Sequence, residues 1–534
     1  MAGKVITQRL CYAPLLVVLV CLICPLKSYS WSCSRNKGLI SNGILKNLGC
    51  IRKDGISSRS KRRLSMSTSY ALSSDNMKQL ESSPQFPRTW VPVASTFELD
   101  VDRPTPVSFL GQNYVLYCNN DNVWSVLDDA CSHRLAPLSE GRIDRSLDVL
   151  ECAYHGWAFD SQGSCTRIPQ MDTSEKSCRI RCSTEACVKA YPTKVEKGIV
   201  FMWPWSESLP STASEEWTQP EFMMKDTGEN ATTYTRDFPY GWDMLVENLI
   251  DPAHIPWAHH GLQGKRTDAL PINMTSASSY GPHGFTFTFE DRTMGMLRKG
   301  HADFKAPYVI NYLGNYDATP TPFKLSVICI PTRPGWSRAI IFSREASIQS
   351  ENIKEKDKEI KPQKAKLSSQ LFRKVFSILP TWLLHQLSHK FLDSDLAFLH
   401  YQQYELEKRS ESNSNNLPYF IPARCDLCVA TFRKWIRQYA HLPRPLPPPI
   451  SQTDRLSLFD HYGQHTSHCI HCQKGLETLS RWRRNAKVSA ALSLLLCRFF
   501  WARLMLICSI GVSQLIKQQQ KTFFTGEFKH YKNH

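Results

Sequence analysis

Acidic residues are almost missing from the start of this 534-residue chain: in its first 74 residues twelve Lys or Arg face a single acid, Asp54. That stretch carries +11 of the net charge of +17 and leaves +6 to the remainder. Basicity confined to a leader is not the basic face that nucleic acid binding requires, so nucleic acid is excluded as a partner. Uninterrupted apolar runs are short as well. Residues 10–24 are apolar but suit only a secretory signal core behind Lys4 and Arg9, and residues 488–516 are broken by Arg498 and Arg503. A simple transmembrane helix needs about twenty clean apolar residues. Residues 32–74, rich in Ser, Arg and Lys, read as a transit peptide into a reducing organelle compartment, which argues against a disulfide framework for the 19 cysteines.

Metal-ligand side chains, by contrast, stand at informative spacings. Cys131-Ser-His133 and Cys152-Ala-Tyr-His155 are separated by eighteen residues. A thiolate beside an imidazole, given twice, is the donor set of a Rieske [2Fe–2S] centre, with the cysteines on one iron and the histidines on the other. Structural zinc takes the same four donors but favours Cys–Cys and His–His pairs over mixed ones. Pro137 and Gly156-Trp157 suit tight loops at neighbouring hairpin tips. Around them, the short stretches 107–110, 114–117, 123–127, 158–159 and 199–203 alternate with turn sequences such as Gly111-Gln-Asn and Asp160-Ser-Gln-Gly163, which predicts a small antiparallel β domain.

A second donor set follows about a hundred residues later, in Asp251-Pro-Ala-His254-Ile-Pro-Trp-Ala-His259-His260. Histidines five apart do not share a helix face, so Pro252 and Pro256 must bend the chain for the rings to converge. Two histidines and a carboxylate form the facial triad of non-haem Fe(II) oxygenases. Trp242 and Trp257 flank the motif and either stack on a flat ligand or belong to the core. Residues 284–290 and 325–331 read as strands of a sheet over the iron.

The segments CSHRLAPLSEGRID (131–144), ECAYHGWAFDSQGSCTRIPQ (151–170), ENLIDPAHIPWAHHG (247–261) and LDSDL (392–396) resemble the plastid pheophorbide a oxygenase family over most of residues 88–480. The resemblance implies an α+β fold: an antiparallel all-β Rieske domain, a helix-grip (START-like) catalytic domain and a C-terminal membrane-associated helical segment. The expected organisation is a leader (1–74), a Rieske domain (87–205), a mononuclear-iron domain (206–420), a Cys-x-x-Cys region (421–480) and a membrane anchor (486–517), with the Lys- and Glu-rich residues 350–367 as a solvated linker. It implies His254 and His259 as iron ligands and Asp395 as the third, with Asp393 as the alternative. Asp251 and Asn248 are the implied catalytic residues. Asp251 would link a Rieske histidine of one subunit to His254 of the next in a homotrimer, or simply cap a helix before Pro252.

The same resemblance implies ferredoxin as electron donor, O2 and a chlorophyll-derived tetrapyrrole as substrates, and a thylakoid or inner envelope location with the active domains facing the stroma. The leader resembles the bipartite leaders of algae with secondary plastids, with processing at Ser30-Trp31; a plain transit peptide is the alternative. Members differ in what they do. Opening of the pheophorbide a macrocycle, oxidation of chlorophyllide a or protochlorophyllide a, and redox sensing in a plastid import complex all remain open, and an electron carrier using only the Rieske cluster would leave the triad unexplained. Cys469-Ile-His-Cys472 resembles the family's C-terminal dithiol, a redox switch with thioredoxin as partner. The spacing equally suits half a zinc site, which Cys425-Asp-Leu-Cys428 would complete as Cys₄.

Overall fold

Two-residue hairpins set the geometry of the N-terminal half. Leu110 and Gly111 (φ 47° and 83°) join Thr105–Phe109 to Gln112–Cys118, and Lys197 and Gly198 (φ 48° and 76°) join Thr193–Glu196 to Ile199–Met202. Two successive positive φ values give a turn whose twist matches its strands. The first turn therefore falls one residue earlier than Gly111-Gln-Asn suggests. The computed structural model describes residues 86–172, 174–205, 232–276, 279–293, 295–317, 323–343, 379–410, 420–440 and 455–528. The leader and residues 350–367 lie outside them.

Three antiparallel sheets build this half. Their orders are Val91–Ser95, Ile199–Met202, Thr193–Glu196; then Thr105–Phe109, Gln112–Cys118, Trp124–Asp128, Ala190–Tyr191; then Arg142–Asp144, Val149–Glu151, Ala158–Phe159, Cys165–Arg167. The two Cys/His loops are borne beside and within the last of these. The C-terminal half is one seven-stranded antiparallel sheet, ordered Thr232–Phe238, Ser337–Ser343, Phe323–Pro331, Val309–Tyr316, Met296–Lys305, Gly284–Thr293, Asn273–Ser276. On Gly284–Thr293 the rings of Phe285, Phe287 and Phe289 are buried at alternate positions, the period of a half-buried strand.

Helices α1 (Trp242–Ile250), α2 (Ile255–Ala258), α3 (Thr381–Ser410) and α4 (Leu427–Tyr439) accompany that sheet. Leu396 and Leu399 of α3, Phe432 and Trp435 of α4, and Phe304, Ile328 and Ile340 of the sheet share one core. Trp242 belongs to this core. Its ring meets Phe86 and Phe432 edge-on and its Nε1–H donates to the Pro307 carbonyl at 3.1 Å, which leaves no face for a flat ligand. Trp257 is 53% exposed beneath the Arg266 guanidinium. The architecture is the α+β arrangement expected, an all-β domain followed by a sheet that grips helices.

Helices α5 (Ile470–Leu495) and α6 (Phe500–Lys521) form an antiparallel hairpin, joined by Ser509–Ser489 (2.9 Å) and Gln520–Ser480 (2.8 Å) hydrogen bonds. Among the described residues α6 is the helix long and apolar enough to cross a membrane. The chain then returns to the catalytic domain: Phe523 and Phe528 are buried, and the Gly526 N–H donates to the Phe459 carbonyl at 2.9 Å.

Candidate metal centres

The two Rieske-like loops repeat one hydrogen-bond pattern. In the first, the Cys131 N–H donates to the Ala136 carbonyl and the Leu135 N–H to the Cys131 carbonyl; in the second, Cys152 and Trp157, then Gly156 and Cys152, are paired in the same way. The fourth residue after each cysteine is left-handed, Leu135 at φ 59° and Gly156 at φ 73°. At position 156 only glycine fits, because a Cβ would stand 2.9 Å from Pro169 Cγ. Matching turns bring Cys131 and Cys152 together inside while their imidazoles face outward.

The His133 and His155 rings lie 4.6 Å apart at 72°, and His133 stacks on Trp157 at 4.7 Å. Burial pushes the Cys131 thiol up to about 11, against the His133 and Arg134 N–H groups aimed at its sulfur, and Cys152 beside it adds to the rise. Burial and the neighbouring Cys152 hold the Cys131 thiol neutral, and a cation between the two sulfurs is what would convert them to thiolates. Buried sulfurs, an exposed His133 and a half-buried His155 fit a [2Fe–2S] cluster of the Rieske kind.

The second centre arises where α1 stops. Pro252 cannot continue the helix, Asp251 caps it, and the Asp251 Oδ1 accepts the Ala253 N–H at 2.8 Å. The chain then turns into α2 with His254 at its N-cap and His259 at its C-cap, so the two rings converge to 5.1 Å. Asp395 meets them from α3: its Oδ2 is 3.2 Å from His259 Nε2 and 3.9 Å from His254 Nε2. Donor atoms of His254, His259 and Asp395 all lie within 4.8 Å of one another.

The outer nitrogens are oriented too. Ser394 Oγ donates to the Phe391 carbonyl and so receives the His259 Nδ1 proton at 2.7 Å, which leaves the Nε2 lone pair facing Asp395. His254 Nδ1 is buried without a hydrogen bond, 3.7 Å from Asp251 Oδ2. Burial disfavours the His254 imidazolium, yet Asp395 and Asp251 outweigh it and lift its pKa to about 9. A proton-hungry imidazole beside two carboxylates is a cation site, and the set fits the facial triad.

Asp393 lies apart from this group. It pairs with the fully buried Arg236 (2.8 Å) and with His461 (2.9 Å), and against the cost of burial Arg236, then His461, hold its carboxyl below the usual range. His260 Nδ1 faces the Arg266 N–H at 3.2 Å. A cavity of roughly 400 Å³ opens beside the triad, with Asn248, Asp251, His254, Asp395, Phe398 and Leu399 among its walls.

Cys469 and Cys472 are buried, and here the structure departs from a Cys₄ pairing. They meet His385 of α3 and His465, whereas Cys428 lies on the buried face of α4, in the main core, where burial and then Asp251 push its thiol above the ordinary range. His385 and His465 escaped sequence reasoning, as did Ser394, Phe391 and Arg236. The i, i+4 pairs His385/His389 and His461/His465 were the available signal.

A Rieske [2Fe-2S] domain model matches residues 89–192, and a pheophorbide a oxygenase model matches residues 304–413. The chain is 31% identical over 488 residues, 83% of each chain, to a chloroplastic pheophorbide a oxygenase of Arabidopsis thaliana. With the corresponding protein of Oryza sativa subsp. japonica it is 32% identical over 410 residues, 72% of each. The chain belongs to the pheophorbide a oxygenase family. It is accordingly a Rieske-type non-haem iron oxygenase, whose cofactors are a Rieske [2Fe–2S] cluster and a mononuclear iron. The chain is also 29% identical, over 83% of its length and 85% of the other's, to a protein named flavonoid 8-hydroxylase 2, chloroplastic, from Ocimum basilicum.

Proposed function

We propose that this oxygenase acts in the plastid on a chlorophyll-derived tetrapyrrole with electrons from ferredoxin. Cys131, His133, Cys152 and His155 hold the cluster in this reading, and His254, His259 and Asp395 hold the mononuclear iron. The convergence of those three donors beside a cavity carries it. When bound, the cluster supplies single electrons and the iron a redox-active position at which O2 is reduced.

The protein's own side chains do the rest. Ser394 bonds the outer nitrogen of His259 and Phe391 stacks on its ring at 4.1 Å, which fixes that ring in place and tautomer, while the Asp251 carboxylate faces the outer nitrogen of His254 from 3.7 Å. Phe398 and Leu399 offer an apolar wall to a flat ring. Within one chain the ring contacts of His133 and His155 are with each other, Trp157 and Tyr154, while Asp251 is partly exposed beside His254. A homotrimer that brings a neighbour's Rieske histidine onto Asp251 accounts for both surfaces, with Asn248 next to it on the cavity wall. Pheophorbide a is the substrate favoured by the similarity to the two pheophorbide a oxygenases, with chlorophyllide a and protochlorophyllide a as alternatives. His254→Ala should retain the electron paramagnetic resonance spectrum of the reduced cluster and lose pigment oxidation; pigment oxidation by that variant would remove the iron assignment.

The α5–α6 hairpin is a one-sided membrane anchor in this reading. The apolar arm 488–496 is about 14 Å long at 1.5 Å per residue, half of a hydrocarbon core of about 30 Å. Although α6 alone is long enough to cross, its second half runs beside the arm carrying Arg483, Arg484 and Lys487, and residues 523–528 rejoin the catalytic domain. Both ends therefore stay on one side, with Phe499, Phe500 and Trp501 exposed near the tip. In sealed plastid vesicles a C-terminal tag should be cleaved from the same face as the catalytic domain. Cleavage only from the opposite face would mean that α6 spans.

A further inference from the structure

A second metal centre, separate from the cluster and the iron, is built where α3, α5 and the π-helical turn Tyr462–Thr466 meet. We propose that His385, His465, Cys469 and Cys472 bind one structural Zn(II). All four side chains are at most 4% exposed, and one donor atom from each lies within 4.8 Å of every other. His385 Nδ1 is 3.1 Å from His465 Nε2, 3.5 Å from Cys469 Sγ and 3.6 Å from Cys472 Sγ, and His465 Nε2 is 3.2 Å from Cys472 Sγ.

Those separations are the edges of a coordination tetrahedron. With Zn–N near 2.0–2.1 Å and Zn–S near 2.3 Å, tetrahedral angles give N–N edges of about 3.3 Å and N–S edges of about 3.5 Å. Hydrogen bonding explains them less well, because His385 Nδ1 has one proton or one lone pair to offer three neighbours. The orientation of His465 is also fixed from outside: its Nδ1 meets the Thr235 carbonyl, which accepts the ring proton and leaves Nε2 to the cluster. Two thiolates and two neutral imidazoles around a dication leave no net charge, which makes burial of all four groups tolerable. Among the described residues all four donors are buried from solvent and complete a four-coordinate set, the mark of a structural rather than a catalytic site.

The location gives the ion a task. His385 lies ten residues before Asp395 on the same helix, and Cys469 caps the N-terminus of α5. Trp382 of α3 and Phe523, just beyond α6, pack on the same buried cluster as the two cysteines, and Gly475 lets α5 approach so closely that a Cβ would come 2.5 Å from the Trp382 ring. The ion pins the iron-bearing helix to the root of the membrane hairpin. Bound thiolates are thereby withheld from dithiol–disulfide exchange.

Metal analysis of the full mature chain, purified without chelators, should find one zinc per chain beyond the irons. Zinc K-edge absorption should show two sulfur and two nitrogen neighbours. Cys472→Ser and His465→Asn should each lower zinc at least tenfold while the spectrum of the reduced Rieske cluster persists. The Cys425→Ser/Cys428→Ser double variant should keep its zinc. Wild-type protein without zinc, with a fourth iron in its place or with a Cys469–Cys472 disulfide overturns the proposal, as does loss of zinc from the Cys425/Cys428 variant. The absorption measurement on wild-type protein decides the matter even where a variant does not fold.

Discussion

Replacing Asp251 by Asn isolates the charge of one carboxylate without disturbing its turn. Asp251 Oδ1 accepts the Ala253 N–H at 2.8 Å, a bond that the Asn carbonyl oxygen can keep. The other oxygen, 3.7 Å from His254 Nδ1, becomes an NH₂ group that faces an N–H, donor against donor. A unit charge pair at that separation is worth about 4.5 kcal/mol at an effective dielectric near 20, an upper bound for a ring that shares its charge with a metal. Removing an outer partner of a ligating histidine typically costs about 10–100-fold. We therefore expect kcat/KM for pigment oxidation to fall about 100-fold, with the iron content and the Rieske spectrum of wild-type protein. The assay is ferredoxin-driven pigment loss, paired with single turnover of enzyme whose cluster is already reduced. Wild-type turnover in Asp251→Asn would refute the placement of Asp251 between the two centres, and loss of iron would make it a metal-retaining residue instead.

Asp395→Asn should lose one iron in three and all turnover. Asp393→Asn should keep the three irons but strand the buried Arg236, destabilising by about 3–5 kcal/mol and visibly lowering the melting temperature. Gly156→Ala should cost about 1–2 kcal/mol for the left-handed turn alone, plus the contact with Pro169, and should be read as reduced cluster content at unchanged mononuclear iron. Burial alone would raise the Asp237 carboxyl, but Arg338 holds it below its ordinary value of 3.8. Its stabilising contribution is therefore complete above that value and fades as the pH falls through the lower folded one. Melting temperature against pH should drop more steeply below about pH 4 for wild type than for Arg338→Met, and parallel curves would show that the pair contributes nothing.

Short spacings made the Rieske loops and the α1–α2 bend readable. Cys and His within three residues, or Pro252 and Pro256 around His254, constrain the chain locally whatever surrounds it. Helix α3 hid its content for the opposite reason. His385, His389, Asp393, Asp395 and His400 resemble the polar face of a solvated helix, yet each is at most 6% exposed because sheet, turn and hairpin enclose α3 on several sides. Ligands joined only by tertiary packing leave no periodic trace, so His385 could not be tied to Cys469 from 84 residues away. The hairpin was foreshadowed by Arg498 and Arg503, but the return of Phe523 and Phe528 to the core was not.

Oxygenation of a chlorophyll-derived ring at the His254–His259–Asp395 centre is the step on which the proposed function rests. It is tested most directly by supplying ¹⁸O₂ and reduced ferredoxin to the purified enzyme with a mixture of pheophorbide a, chlorophyllide a and protochlorophyllide a, and weighing the products. One pigment, pheophorbide a first, should gain a labelled oxygen, and His254→Ala should leave every pigment unlabelled. Fully metal-loaded enzyme that labels none of the three, while labelling a flavone, would contradict it.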